Sequence, residues 1–237
     1  MMPEIALDLV DEVDSTSDAL KRRAETTPIG EFALLARRQT GGRGRLGRRW
    51  ETIDGNLHLS VLLRPGPMRR PGHWSLLAGV ALAQAAAACL PDASGLRLKW
   101  PNDLVLNGAK LAGILAEAGD AGAPWLVLGF GVNLAGAPDG LGRPTACLAD
   151  HAPPPAPEAF ARRLLAIVQG WRLRYAADGF DPVRAAWLER APPLGEALSV
   201  TSGSEVMKGR FAGLSSTGGL LLETAAGLVT IVSGELA

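Results

Sequence analysis

Ten consecutive residues, Gly41-Gly42-Arg43-Gly44-Arg45-Leu46-Gly47-Arg48-Arg49-Trp50, bring four glycines, four guanidinium groups and one indole into a single segment. These types suit a phosphate-bearing ligand. Glycine lets the backbone come close, arginine supplies forked donors that match carboxylate and phosphate oxygens, and tryptophan offers a flat face for stacking. A second polar set, Lys99-Trp100-Pro101-Asn102-Asp103 followed by Lys110, breaks otherwise apolar runs. If Asn107-Gly108 forms a two-residue hairpin turn, Val105 faces Lys110 and Asp103 shares that face as a diagonal neighbour; a bulge would break the register.

Several chemistries can be set aside. Gly42-Arg43-Gly44-Arg45-Leu46-Gly47 matches G-x-G-x-x-G, but only a few residues separate Gly47 from the Asp54-Gly55 turn and the next strand, so no dinucleotide-binding helix can open there. No Walker A sequence and no G-x-S-x-G occur, and His58, His73 and His151 have no metal-ligand spacing. A solvated arginine turn or a flexible Arg-Gly nucleic-acid segment would account for the loop alone. Neither accounts for the second polar set.

The elements that must position these residues are legible in outline. Ser15 and Ser17 are candidate caps for a short helix through Ala19, Leu20, Arg23 and Ala24, ended by residues 27–30. The arginine loop lies between expected strands at 32–37 and 56–63; in the second, Leu57, Leu59, Val61 and Leu63 alternate onto one face. An alanine-rich helix at 76–90 precedes strands at 96–100, 103–106 and 109–116, and a further apolar strand at 125–130 runs into Gly131-Val132-Asn133. Helices are expected at 158–177 and 182–190, the first with Phe160, Leu164, Ile167, Val168 and Trp171 as its buried stripe. From Leu198 onward, short apolar runs punctuated by glycine suggest four or five small strands in a small β-barrel or sheet.

The chain of 237 residues is long enough for one large domain with a small appendage. Acidic and basic residues balance at 24 each, so the six arginines at 37–49 are a local feature and no global field would hold nucleic acid or an anionic membrane. The 76–90 run is shorter than the ~20 apolar residues that span a bilayer. Two cysteines, Cys89 and Cys147, in no metal or redox spacing, together with an acidic N-terminus, lead to the expectation of a cytoplasmic protein.

Four ordered blocks, Ser15-Thr16-Ser17, the arginine loop, Lys99-Trp100-Pro101-Asn102-Asp103 with Lys110-Leu111-Ala112-Gly113-Ile114-Leu115, and Gly129-Phe130-Gly131-Val132-Asn133, resemble the biotin protein ligase family. The resemblance implies a ligase that makes biotinyl-adenylate from biotin and ATP with Mg²⁺, then biotinylates a lysine of a biotin carboxyl carrier protein. It implies an α+β fold, a mixed sheet flanked by helices like the class II aminoacyl-tRNA synthetase catalytic domain over residues 1–190, with a small SH3-like β-barrel over 191–237. By motif position, Lys110 bridges the biotin carboxylate and the adenylate phosphate, and Asp103 orients it or aids metal binding. Ser15, Thr16, Gln39, Gly42, Arg43, Gly113 and Leu115 take the biotin side. Arg45 and Arg48 face the phosphates, while Trp50, Asn102 and Asn133 join Lys110 on the adenylate side.

Ser17 stands where the family often has asparagine, and the C-terminal strands match loosely. Because the first block begins by Val13, no helix-turn-helix is expected before it, and a DNA-binding regulator rests on the arginine loop alone. A ligase for lipoate or another acyl acid is the nearest rival, and a homodimer stays open.

Overall fold

The computed structural model describes residues 5–26, 30–65, 70–120, 124–140 and 142–236. In chain order these form β1 (Ala6–Val13), α1 (Thr16–Thr26), β2 (Phe32–Gln39), β3 (Leu57–Leu63), α2 (Pro71–Ala87), β4 (Leu96–Lys99), β5 (Asp103–Leu106), β6 (Ala109–Asp120), β7 (Pro124–Val132), α3 (Pro157–Asp178), α4 (Asp181–Leu188), β8 (Ala197–Ser202), β9 (Glu205–Leu214), β10 (Leu220–Thr224), β11 (Gly227–Ile231) and β12 (Glu235–Leu236). The expected helix stop at 27–30 falls largely outside the described residues.

Seven strands build one mixed sheet in the order β1-β2-β3-β7-β6-β5-β4. β1 and β2 run parallel and the other neighbours antiparallel. Every side chain of β3 is buried, so both faces of the sheet are covered there. Leu57, Leu59, Val61 and Leu63 enter the main core with α2 and α3. On the opposite face, Leu62 joins Leu20, Ala24, Leu34 and Val127 beneath α1. His58 and Ser60 share that face by strand alternation.

The alanine-rich α2 is apolar all round because it is central, packed on α3, α4 and the sheet. A methyl at Gly79 would stand 3.3 Å from Leu98 Cδ2, which shows how closely helix and sheet approach. In α3, Phe160, Leu164, Val168 and Trp171 are buried, while Ile167 lies at the edge of the cluster.

The five C-terminal strands form a second sheet in the order β11-β10-β9-β8-β12. It does not close, and the expected SH3-like β-barrel is corrected to an open sheet. β12 pairs only with β8, Glu235 with Thr201 and Leu236 with Val200, and β11 only with β10, so among the described residues no ladder joins the two edges. The inner face of this sheet, with Phe211, Leu214 and Leu220, is buried in the same cluster as Trp74 and Trp187. The indole N–H of Trp100 donates to the Gly218 carbonyl at 3.2 Å, tying the turn before β10 to the Lys99–Asp103 segment.

Candidate functional site

The arginine loop folds as a small hairpin on the α1 side of the sheet. Arg43 and Arg49 bridge antiparallel, Trp50 N–H donates to the Gly42 carbonyl at 2.9 Å, and Gly44 N–H donates to the Arg48 carbonyl at 2.7 Å. The reversal needs two consecutive left-handed residues, Leu46 (φ 57°) and Gly47 (φ 73°). Leu46, 82% exposed, is the apex.

Beneath the loop lies a narrow cavity of about 40 Å³, whose lining includes Ser15, Thr16, Ser17, Gln39, Ser60 and Leu115. Its polar wall is one hydrogen-bonded chain. Ser17 Oγ and Ser60 Oγ are 2.9 Å apart, Ser60 Oγ and Thr16 Oγ1 are 2.7 Å apart, and Thr16 Oγ1 donates to Gln39 Oε1 at 3.0 Å. With Thr16 donating to Gln39, a consistent assignment runs Ser17 to Ser60 to Thr16 to Gln39, which uses each hydroxyl proton and leaves oxygen lone pairs for a ligand N–H. Ser15 Oγ instead accepts the Asp18 N–H at 3.3 Å, as a helix cap does.

Glycines form the floor. Cross-strand partners Gly113 and Gly131 lie under the indole of Trp50, and a methyl on Gly113 would come within 3.2 Å of Trp50 Cζ3 and 3.3 Å of Lys110 Nζ. At Gly129 a methyl would collide with Ser17 Oγ at 2.5 Å. The indole Nε1 of Trp50 is buried with no acceptor among the described residues. His58, which pairs with Gly131, is 1% exposed; burial lowers its pKa to about 4, so the ring is neutral.

Lys110 and Asp103 meet at the far end of the floor, Nζ to Oδ1 2.5 Å, both largely buried. The hairpin turn forms with Leu106 opposite Ala109 and Val105 opposite Lys110, but a bulge follows, so that Asp103 faces Gly113. The contact survives because Asp103 is two residues from Val105, the partner of Lys110, and therefore on the same face. The bulge also frees the Lys110 backbone to pair elsewhere. Its N–H donates to the Pro144 carbonyl at 3.0 Å, and its carbonyl accepts from Ala146 N–H at 2.9 Å. Burial holds the Lys110 ammonium below the ordinary lysine value; Asp103 pulls upward, and Arg143 and Arg48 add to the fall. The ammonium lies 5.8 Å from the Trp50 ring centroid.

The other expected site residues are placed as follows. Arg45 Nη1 donates to Asn102 Oδ1 at 3.4 Å and to the Gly234 carbonyl at 3.3 Å, while Asn102 Nδ2 donates to the Ile114 carbonyl at 2.7 Å. Arg48 pairs with Glu235. Asn133 is buried, its amide donating to the Ala146 carbonyl at 3.0 Å and the Lys110 carbonyl at 3.4 Å. Arg43 lines the cavity, with its guanidinium bound to Asp18 at 2.6 Å and Glu117 at 2.9 Å.

Asp18 and Glu117 carry no motif signal, and their distance from Arg43 in sequence hides them. Ser60 was accessible to sequence reasoning, because a serine two residues after His58 marks a polar face in an apolar strand. Hydrogen bonds from Arg43 hold the Asp18 carboxyl well below the usual range, against desolvation. Such a group contributes stability above its unfolded value of about 3.9, which is lost as pH falls further. Arg43→Met is therefore expected to cost about 1 kcal/mol at pH 7 after solvent screening. Its stability should also fall less steeply below about pH 4, as urea unfolding at pH 7 and pH 3 would measure.

A sequence model of the biotin/lipoate A/B protein ligase family matches residues 9–129, over half of the chain. The chain belongs to this family. A second model, the biotin protein ligase C terminal domain, matches residues 194–236. It is 37% identical over 216 residues to the biotin--[acetyl-CoA-carboxylase] ligase of Paracoccus denitrificans, covering 87% of this chain and 90% of that protein. The Mycobacterium tuberculosis protein of the same name is 33% identical, over 97% and 88%. Among solved structures, the Aquifex aeolicus biotin protein ligase in complex with biotin and ATP superposes with a TM-score of 0.86 at 28% identity, covering 98% of this chain and 97% of that one.

Proposed function

We infer that this chain is a biotin protein ligase. It activates biotin with ATP as biotinyl-5'-AMP, releasing pyrophosphate, and passes the biotinyl group to a lysine of a biotin carboxyl carrier protein. The observation that carries the reading is the two-ended slot, with a hydroxyl chain at one end and the buried Lys110–Asp103 pair at the other. A ureido ring has N–H donors for the free lone pairs of Thr16, Ser17 and Ser60, and the apolar floor leads its acyl tail toward Lys110. The 40 Å³ cavity must widen to admit it.

In the first half-reaction a biotin carboxylate oxygen attacks the α-phosphorus of ATP, the bond to the bridging oxygen breaks, and pyrophosphate leaves. Both reactants are anions, so the barrier is lowered chiefly by fixed positive charge. Lys110 sits where the two anions would meet. Arg45 and Arg48 supply further positive charge from the arginine loop, and Trp50 a face for the adenine, with Asn102 positioning Arg45. The buried amide of Asn133 supports residues 144–146 beside Lys110. Among the described residues no three His, Cys, Asp or Glu gather as a metal site. A Mg²⁺ would be held chiefly by the ATP phosphates, where it would neutralise charge, since the carboxylate beside Lys110, Asp103, is engaged by that lysine.

In the second half-reaction the carrier lysine attacks the acyl carbon and AMP leaves, so the mixed anhydride must be shielded from water until then. Closure of the arginine loop provides that shield. Arg45→Ala is expected to release biotinyl-adenylate into solution at least tenfold more readily, measured as adenylate lost from the enzyme on rapid desalting.

The proposed division is a catalytic unit over 1–190 and a C-terminal sheet over 191–237. Cys89 and Cys147 are free thiols, which fits a reducing cytoplasm, and no helix among the described residues is long and apolar enough to cross a membrane. Pyrophosphate release with biotin, lipoate or no acid tests the substrate. Release with biotin alone supports the reading, whereas release with lipoate alone moves the enzyme to the rival branch of its family.

A further inference from the structure

Arg143 lies outside every motif block, yet it shares a carboxylate with Lys110. Its Nη1 is 3.9 Å from Asp103 Oδ2, while Lys110 Nζ holds Oδ1 at 2.5 Å. At 3.9 Å the guanidinium is paired by charge without a hydrogen bond, so it has room to close. The next residues are fixed beside Lys110: Thr145 forms a parallel bridge with it and Pro144 accepts its N–H. Thr145 Oγ1 also donates to the Pro138 carbonyl at 2.6 Å, which closes the loop behind Arg143. Gly142 immediately before it is left-handed, φ 68°.

The pair poses a charge problem. As Lys110 turns toward the biotin carboxylate and the α-phosphate, the Asp103 side chain, 16% exposed, loses its ammonium, and a buried carboxylate without a partner is strongly disfavoured. We propose that Arg143 is a positioning residue for adenylate formation, taking over the Asp103 carboxylate as Lys110 moves to the reacting anions. Arg143, 40% exposed, stands at the rim and can close without leaving a cavity. Arg45 and Arg48 do not face this carboxylate; they contact Asn102 and Gly234, and Glu235.

The inference rests on the ligase reading, and the wild-type protein's biotin-dependent pyrophosphate release separates the two, since its absence would remove that reading and its presence lets the variants judge this one. Arg143→Gln is expected to lower kcat for that release about tenfold with the KM for biotin and ATP unchanged within twofold, and Arg143→Lys to recover most of it. In an Asp103→Asn background, where no carboxylate needs a partner, Arg143→Gln should have no further effect. Thermal unfolding confirms that each variant is folded. An equal loss in both backgrounds, or a loss confined to the KM for ATP, would overturn the proposal, the latter by making Arg143 a direct phosphate ligand.

Discussion

Lys110→Gln is expected to slow biotin-dependent pyrophosphate release by about 10³-fold, because removing one preorganised group from a water-poor site costs about 10²–10³ in rate. Lys110 stands at the upper end for a structural reason. Its side chain is 12% exposed, against 48% for Arg48, and Coulomb energies rise as solvent is excluded. Glutamine keeps a polar end on a shorter stem, and Arg143 remains to face Asp103. The variant should therefore fold. Single-turnover pyrophosphate release checks the prediction, and a loss smaller than tenfold would mean that the charge is supplied elsewhere.

Gly131→Ala should raise the biotin Kd about 100-fold, equivalent to about 2.7 kcal/mol. A methyl there would meet three atoms of the Trp50 indole inside van der Waals contact, and a rigid ring wedged between a loop and a sheet cannot yield as a flexible chain can. Gly113→Ala provides the internal comparison. Its methyl would sit 3.2–3.4 Å from Trp50 Cζ3 and from the end of the Lys110 side chain, which can swing aside, so the rise should stay near tenfold or below. Calorimetric titration of both variants measures the order; a weaker effect at Gly131 than at Gly113 would show that the indole is not the slot's fixed wall.

Local signals made much of the site legible. Asn107-Gly108 announces its hairpin because left-handed φ values are needed at both positions, and the observed values, 51° and 80°, are of that kind. The alternation in β3 located the strand and its core face, whereas the cover over its other face, where His58 and Ser60 lie on the cavity side, was not legible. What stayed hidden depends on distance along the chain. Asp18 and Glu117 reach Arg43 across 25 and 74 residues, and nothing local in the sequence reports such a meeting. β1 was not anticipated because Asp8, Asp11 and Glu12 obscure its alternation; as an edge strand with one neighbour it can keep those charges in solvent, paired with Arg23, Arg37 and Arg38.

The C-terminal strands illustrate the opposite limit. Short glycine-punctuated runs specify strands, and five appear, but closure depends on whether the two edge strands pair, which no local signal reports. β12 pairs with β8 and not with β11, so the sheet stays open, and its end lies at the arginine loop, where Gly234 and Glu235 meet Arg45 and Arg48. Composition could not foresee that contact, because it requires the C-terminal sheet to be docked on the core through Phe211 and Leu214 first.

The most direct test of the account is transfer itself. The purified protein would be incubated with Mg²⁺, ATP, biotin and an unmodified biotin carboxyl carrier domain, and the intact mass of that domain followed with time. One biotinyl group is expected on one lysine of each carrier, dependent on both ATP and biotin and slowed by Lys110→Gln to the same extent as pyrophosphate release. A folded protein that releases no pyrophosphate with biotin and leaves the carrier unmodified would contradict it.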